Sequence, residues 1–158
     1  MDAKTIEEFE TGGEKLRKAI SGLNRTELLW KPAAAMNVGL WSMQQVVFHL
    51  MDDELIWTAR MKLVIAEDNP KIMGYDESKF AANLKCEEED AAVAAEILDL
   101  NRRQFSIILK NLPPAAFERT GEHNDIGVFT LEQAVGWQAE HLDHHVKYIM
   151  MKREKMGK

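Results

Sequence analysis

Ser42-Met43-Gln44-Gln45-Val46-Val47-Phe48-His49-Leu50 opens a run whose apolar residues recur at the helical period. Ser42 followed three residues later by Gln45 has the form of a capping box, in which the two side chains satisfy the first unpaired amides of a helix. With His49 set at 0° and about 100° per residue, Met43, Val46, Leu50, Trp57, Met61 and Val64 fall between about 60° and 120°. That stripe is one face of an amphipathic helix from Ser42 to about Ala66, and His49 stands at its edge. Asp53 lies near 40°, one turn on.

Three more segments carry the same period. The first runs from about Thr5 to Leu23, with Ile6, Phe9, Leu16, Ile20 and Leu23 on one stripe. Gly12-Gly13 interrupts it, at roughly 1 kcal/mol per glycine against alanine, and marks either a kink or a close approach of another helix. A short turn over 24–30 follows. The third helix is expected from about Glu87 to Leu112, stopping before Pro113-Pro114. The fourth starts at Thr130, where Thr130 and Gln133 repeat the capping box, and reaches about Met156. The segment between, around His123, Asp125 and Gly127, reads as a loop. No segment alternates long enough to read as a sheet. The expected fold is all-α: one four-helix-bundle domain over residues 1–158. The connection over 67–86 is long enough to cross the bundle, so the second and third helices can run parallel.

Composition narrows the function. The 158 residues carry a net charge of −6. That opposes nucleic-acid binding, which depends on Lys and Arg at phosphates. No apolar run approaches the roughly 18 residues of a membrane span. The acidic N-terminus lacks a signal-peptide core, and Cys86 is the single cysteine, so a reducing cytoplasm is the expected setting.

The histidines carry the chemistry. On the fourth helix, with His141 at 0°, the core residues Leu131, Val135, Leu142, Val146 and Ile149 fall between about 80° and 140°. His145 lies near 40° and His144 near 300°. His141 and His145 therefore form an i, i+4 pair at the edge of the core, as His49 does on its helix, while His144 points away. Imidazole nitrogen suits zinc, nickel, iron or copper, and three protein ligands leave a position open. The plain alternative is three hydrogen-bonded histidines at a core edge. The metalloprotease signature H-E-x-x-H is absent, since Leu142 follows His141. The paired Glu-x-x-His of bundle di-metal proteins is absent too.

With these residues in view, the chain resembles the DinB-like superfamily of four-helix metal-binding proteins. Trp41 to Leu50, continuing through Glu54 to Arg60, is similar to the family's W-S-x-x-E-x-x-x-H-L opening of the second helix. Ala139-Glu140-His141-Leu142-Asp143-His144-His145-Val146 is similar to its H-x-x-H-H segment, whose first and last histidines are ligands. The resemblance implies that His49, His141 and His145 bind one divalent ion, nickel or zinc, in an up-down-down-up bundle that forms a homodimer. Two positions depart from the family pattern: Gln45 stands where Glu is common, and Tyr148 where many relatives have Gln.

Characterised relatives in that superfamily include transferases that use low-molecular-weight thiols. The resemblance thus implies transfer of such a thiol to an electrophilic small-molecule substrate. A metal-dependent hydrolase and a non-catalytic metal-binding stress-response protein are the alternatives. No catalytic residue beyond the ligands is evident, although Asp53 can orient His49 or accept a proton. His123, Trp137 and Tyr148 are candidates to line a pocket beside the histidines.

Overall fold

The computed structural model describes residues 1–158. Its helices are α1 (Ala3–Ile20), α2 (Arg25–Leu28), α3 (Met43–Ala66), α4 (Glu77–Asn83), α5 (Ala91–Asn111) and α6 (Leu131–Lys155), of which α1, α3, α5 and α6 form the bundle. Both expected capping boxes are in place. The Gln45 amide donates to Ser42 Oγ while the Ser42 amide donates to Gln45 Oε1, and Thr130 and Gln133 exchange the same pair. α1 starts and stops earlier than its apolar stripe suggests: Asp2 caps it, and the chain turns at Ser21-Gly22, where Gly22 has φ 75°. α5 starts at Ala91 rather than Glu87, because the Asp90 side chain accepts from the amides of Ala92 and Val93. Residues 86–88 form a 3-10 turn before it.

The order is up-down-down-up. Phe9 meets Phe105 and Arg17 meets Asp99, so α1 and α5 are antiparallel. Gln44 bonds the Glu89 carbonyl and Glu54 pairs with Arg102, so α3 and α5 are parallel. His49 faces His141 and Trp57 faces Trp137, so α3 and α6 are antiparallel. Lys15 pairs with Asp143, and Arg153 bonds the Ala19 carbonyl, so α1 and α6 are parallel. Each long helix thus packs on two neighbours, with α1 diagonal to α3 and α5 diagonal to α6.

Gly12-Gly13 marks a close approach, since α1 continues through it. A Cβ at Gly13 would lie 2.4 Å from Asp99 Cα, and one at Gly12 would lie 2.3 Å from Arg102 Nη1.

The connections hold more order than the sequence suggests. β1 (Lys71–Ile72), β2 (Thr120–His123) and β3 (Gly127–Thr130) form a three-stranded sheet, β1 parallel and β3 antiparallel to β2. Strands of two to four residues are too short to show alternation. The sheet ties the long 67–86 connection to the loop before α6.

The apolar core falls into two clusters, one around Met43, Leu98 and Leu142, the other around Phe9, Met61 and Phe129. Between them lies a buried polar layer. Arg102 Nε donates to Glu54 at 2.7 Å, its Nη1 to the Phe9 carbonyl at 3.2 Å and its Nη2 to the Gln138 carbonyl at 2.7 Å. One guanidinium therefore touches all four long helices. Removing one partner of such a pair leaves an uncompensated buried charge. No helix is long and apolar enough to cross a membrane.

Candidate metal centre

Three imidazoles converge where α3 and α6 cross. His49 Nε2 lies 3.1 Å from His141 Nε2. The His145 ring centroid is 4.8 Å from that of His49 and 4.6 Å from that of His141. One ring nitrogen from each lies within 4.8 Å of the others. His49 is buried and the other two are half-buried.

Asp53 fixes one of these rings. Its Oδ2 lies 3.2 Å from His141 Nδ1 and accepts from Gln138 Nε2 at 3.0 Å, while its Oδ1 accepts from the Tyr75 hydroxyl at 3.0 Å. Burial alone would raise the Asp53 carboxyl, but His141, with Gln138 and Tyr75, outweighs it and holds the group below its ordinary value. His141 therefore donates from Nδ1 to Asp53, which turns its Nε2 toward the cluster. Asp53 was a candidate to orient His49; it orients His141 instead, and its oxygens are engaged. Glu77 Oε2, on α4, lies 3.8 Å from His49 Nδ1.

Two of the three rings, His49 and His145, are held in their neutral form. Burial, then the neighbouring His141, pushes His49 down to about 4. Burial and the imidazoles around it push His145 down to about 3. Deprotonated imidazoles are what a metal requires. Two imidazole nitrogens on one tetrahedral ion are about 3.4 Å apart, given ligand bonds of about 2.0–2.1 Å, close to the 3.1 Å found between His49 and His141. The three histidines fit a divalent ion, with no fourth protein ligand in the group.

Trp41 stands edge-on to His49 at 5.3 Å. Beside His145 opens a cavity of about 490 Å³, walled by Leu40, Trp41, His144 and Tyr148, with Lys152 among its lining residues. His123 and Trp137 do not line this cavity. His123 stacks on Trp57 at 6.0 Å, its Nδ1 accepting from the Asp125 amide, and Trp137 packs against Trp57 and Phe129. The hairpin carries His123 and Phe129 into an aromatic group with Trp57 of α3 and Trp137 of α6. His144 is exposed, as its wheel position implies. Cys86 is buried, its thiol pushed up to about 11 by burial and Glu87, and it stands outside the His group. Tyr75, Glu77 and Gln138 carried no signal in the sequence, because their roles depend on the path of the connection and on the depth of the polar layer.

A four-helix bundle with three histidines from two facing helices at one point, one of them oriented by a carboxylate, is the class these features define. The family model described as the DinB superfamily matches residues 8–149, and the chain belongs to that superfamily. A Bacillus mycoides protein named as an inferred metal-dependent hydrolase is 33% identical over 154 residues, covering 98% of this chain and 86% of its own. A protein of the same name from Halalkalibacterium halodurans is 29% identical, over 91% and 81%. YfiT from Bacillus subtilis, described as an inferred metal-dependent hydrolase with an unusual four-helix bundle topology, superposes with a TM-score of 0.90 at 26% identity, covering 99% of this chain and 90% of YfiT. A DinB-like protein from the same organism, at 17% identity and a TM-score of 0.66, shares the fold.

Proposed function

We propose that the protein is a metal-dependent enzyme in which His49, His141 and His145 hold one divalent ion, nickel or zinc, and that it transfers a low-molecular-weight thiol to an electrophilic small molecule. The observation that carries the reading is the convergence of three imidazoles, one turned by Asp53, at the edge of a cavity wide enough for a small molecule. An ion with an open position supplies Lewis-acid chemistry that favours the anionic, nucleophilic form of a thiol or water at neutral pH.

The chain's own groups do the rest. Asp53 holds the Nδ1 proton of His141 and keeps that ring aimed. Trp41 covers His49 and limits water on that side, and Tyr148 and Leu40 offer apolar walls to an entering molecule. In the transfer, the thiol gives its S–H proton to solvent, sulfur forms a bond to the electrophilic carbon, and the leaving group departs with its electron pair and takes up a proton from solvent. Asp53 is 4% exposed and already accepts from three donors, which disfavours it as a base toward water. A thiol, with a pKa far closer to neutrality than that of water, needs less help to ionise. That favours the thiol.

Hydrolysis is the second reading, supported by the names of the relatives. Either enzyme requires the ion. Elemental analysis of untagged protein is expected to find about one divalent ion per chain, lost in His49→Ala and in His145→Ala. Turnover of electrophiles only with added thiol supports transfer, and turnover without it supports hydrolysis. Bound metal with neither activity points to a non-catalytic metal-binding role. No metal after reconstitution with nickel or zinc refutes both enzyme readings.

A further inference from the structure

The cavity beside His145 holds an unbalanced charge. Lys152 is 1% exposed, yet its ammonium makes a single hydrogen bond, to the Val38 carbonyl, and no carboxylate lies within ion-pair distance. An ammonium has three donors, so two are left without an acceptor. Lys152 is the one formally charged residue of the cavity lining, in a chain whose net charge is −6. A buried cation without a partner is costly, and proteins normally pair it. Burial accordingly pushes the Lys152 amine below its ordinary value.

The ammonium lies over the Tyr148 ring, 5.5 Å from its centroid, a cation–π contact that leaves it without an anionic partner. Gly39, at φ 77°, faces the ammonium, and even a Cβ there would lie 3.6 Å from Nζ. Glycine at this point keeps the approach clear of a side chain and takes a backbone conformation that other residues adopt only with strain. Leu40, 65% exposed, and Trp41 form the apolar side of the same cavity.

We propose that this cavity is the substrate subsite for an oxyanion, a carboxylate or a phosphate on an apolar body, with Lys152 as the residue that binds it. The proposal rests on the metal-dependent reading above and names the substrate class for that site: the charged end sits at Lys152, the body lies along Trp41 and Tyr148, and the reactive end is directed toward His145. One charge-assisted hydrogen bond in a partly buried site gives about tenfold or more in affinity.

The test titrates benzoate, phenyl phosphate and the neutral isostere benzamide into the full-length protein, metal-loaded and chelator-stripped. Affinity is read by calorimetry and contact by the NMR signal of the Lys152 ε-methylene. At least one anion is expected to shift that signal saturably in both preparations, benzamide leaving it unmoved, and the responding anion tells carboxylate from phosphate. Lys152→Met, which keeps the packing of the stem, is expected to bind that anion about tenfold or more weakly and benzamide as before. Equal anion affinity in wild type and Lys152→Met overturns the proposal, as does an unshifted signal or an anion effect confined to the metal-loaded protein. The NMR readout uses wild type, so a misfolded variant leaves the test intact. Absence of metal binding would sink the enzyme reading while the stripped preparation still tests the subsite.

Discussion

Asp53→Asn and Asp53→Ala divide the work of one carboxylate into charge and geometry. Three donors converge on Asp53: the Tyr75 hydroxyl on Oδ1, and Gln138 Nε2 and His141 Nδ1 on Oδ2. Asn can set its oxygen in the place of Oδ2, keeping Gln138 and His141. Its amide then faces Tyr75, whose hydroxyl can turn and accept. Orientation survives and the negative charge is lost. Ala loses both, leaving His141 free to rotate and the Gln138 and Tyr75 donors unpaired. Loss of a group that orients a metal-ligating histidine costs 10- to 100-fold in affinity, or about 1.4–2.7 kcal/mol. We expect Asn near the lower end and Ala near the upper. Competition against a chromogenic chelator at neutral pH measures both, with far-UV circular dichroism to show that the helices persist. If Asp53→Ala binds the ion as tightly as wild type, the orienting role assigned to this carboxylate is wrong.

Gly13→Ala should lower stability by more than the usual 1–3 kcal/mol of an overpacked core, since its Cβ would meet the Asp99 backbone at 2.4 Å; an unchanged thermal midpoint would show that α1 and α5 are not in that contact. Arg102→Met alone should cost about 3–5 kcal/mol by stranding Glu54, and adding Glu54→Leu should recover most of it; chemical denaturation of the four proteins would contradict this by giving additive losses. The metal-free protein should also lose stability in acid. His49 and His145 ionise near 6.5 in an unfolded chain and only near 4 and 3 when folded. Between those values the unfolded chain holds protons that the folded one lacks, so this stability is full above about pH 6.5 and fades as pH falls toward 4. Urea titrations in chelator at several pH values check it, and a slope no shallower in His145→Gln than in wild type would reject it.

The four long helices were legible because each combined an apolar stripe with a terminal signal, Ser42 with Gln45 and Thr130 with Gln133 above all. The histidine trio was legible for a related reason: His141 and His145 are one turn apart, and His49 holds the same place at the edge of its own stripe. The connections were not. Asn24 and Glu27 form a full capping box on a helix of four residues, too short for periodicity to register. Glu54 and Arg102 carry charges that usually mark a solvated face, and only the packing shows that they meet inside. His123 and Trp137 sat close to the site in the chain or on the wheel, but a hairpin of two short strands carries His123 away and Trp137, a turn before His141 on α6, packs on Trp57 and Phe129.

The diagonal placement of α1 against α3 has a consequence for how the molecule is made. No two long helices consecutive in the chain form a simple antiparallel hairpin, so contacts between distant parts of the chain must form before the bundle closes, which slows folding relative to bundles built from neighbours. His49 and His141 are 92 residues apart in the chain. During synthesis, the first ligand waits through the whole of α5 and the first turns of α6 for the other two. An ion at this cluster thus rewards only the completed topology, and a chain halted between His49 and His141 has one of the three cluster imidazoles to offer it.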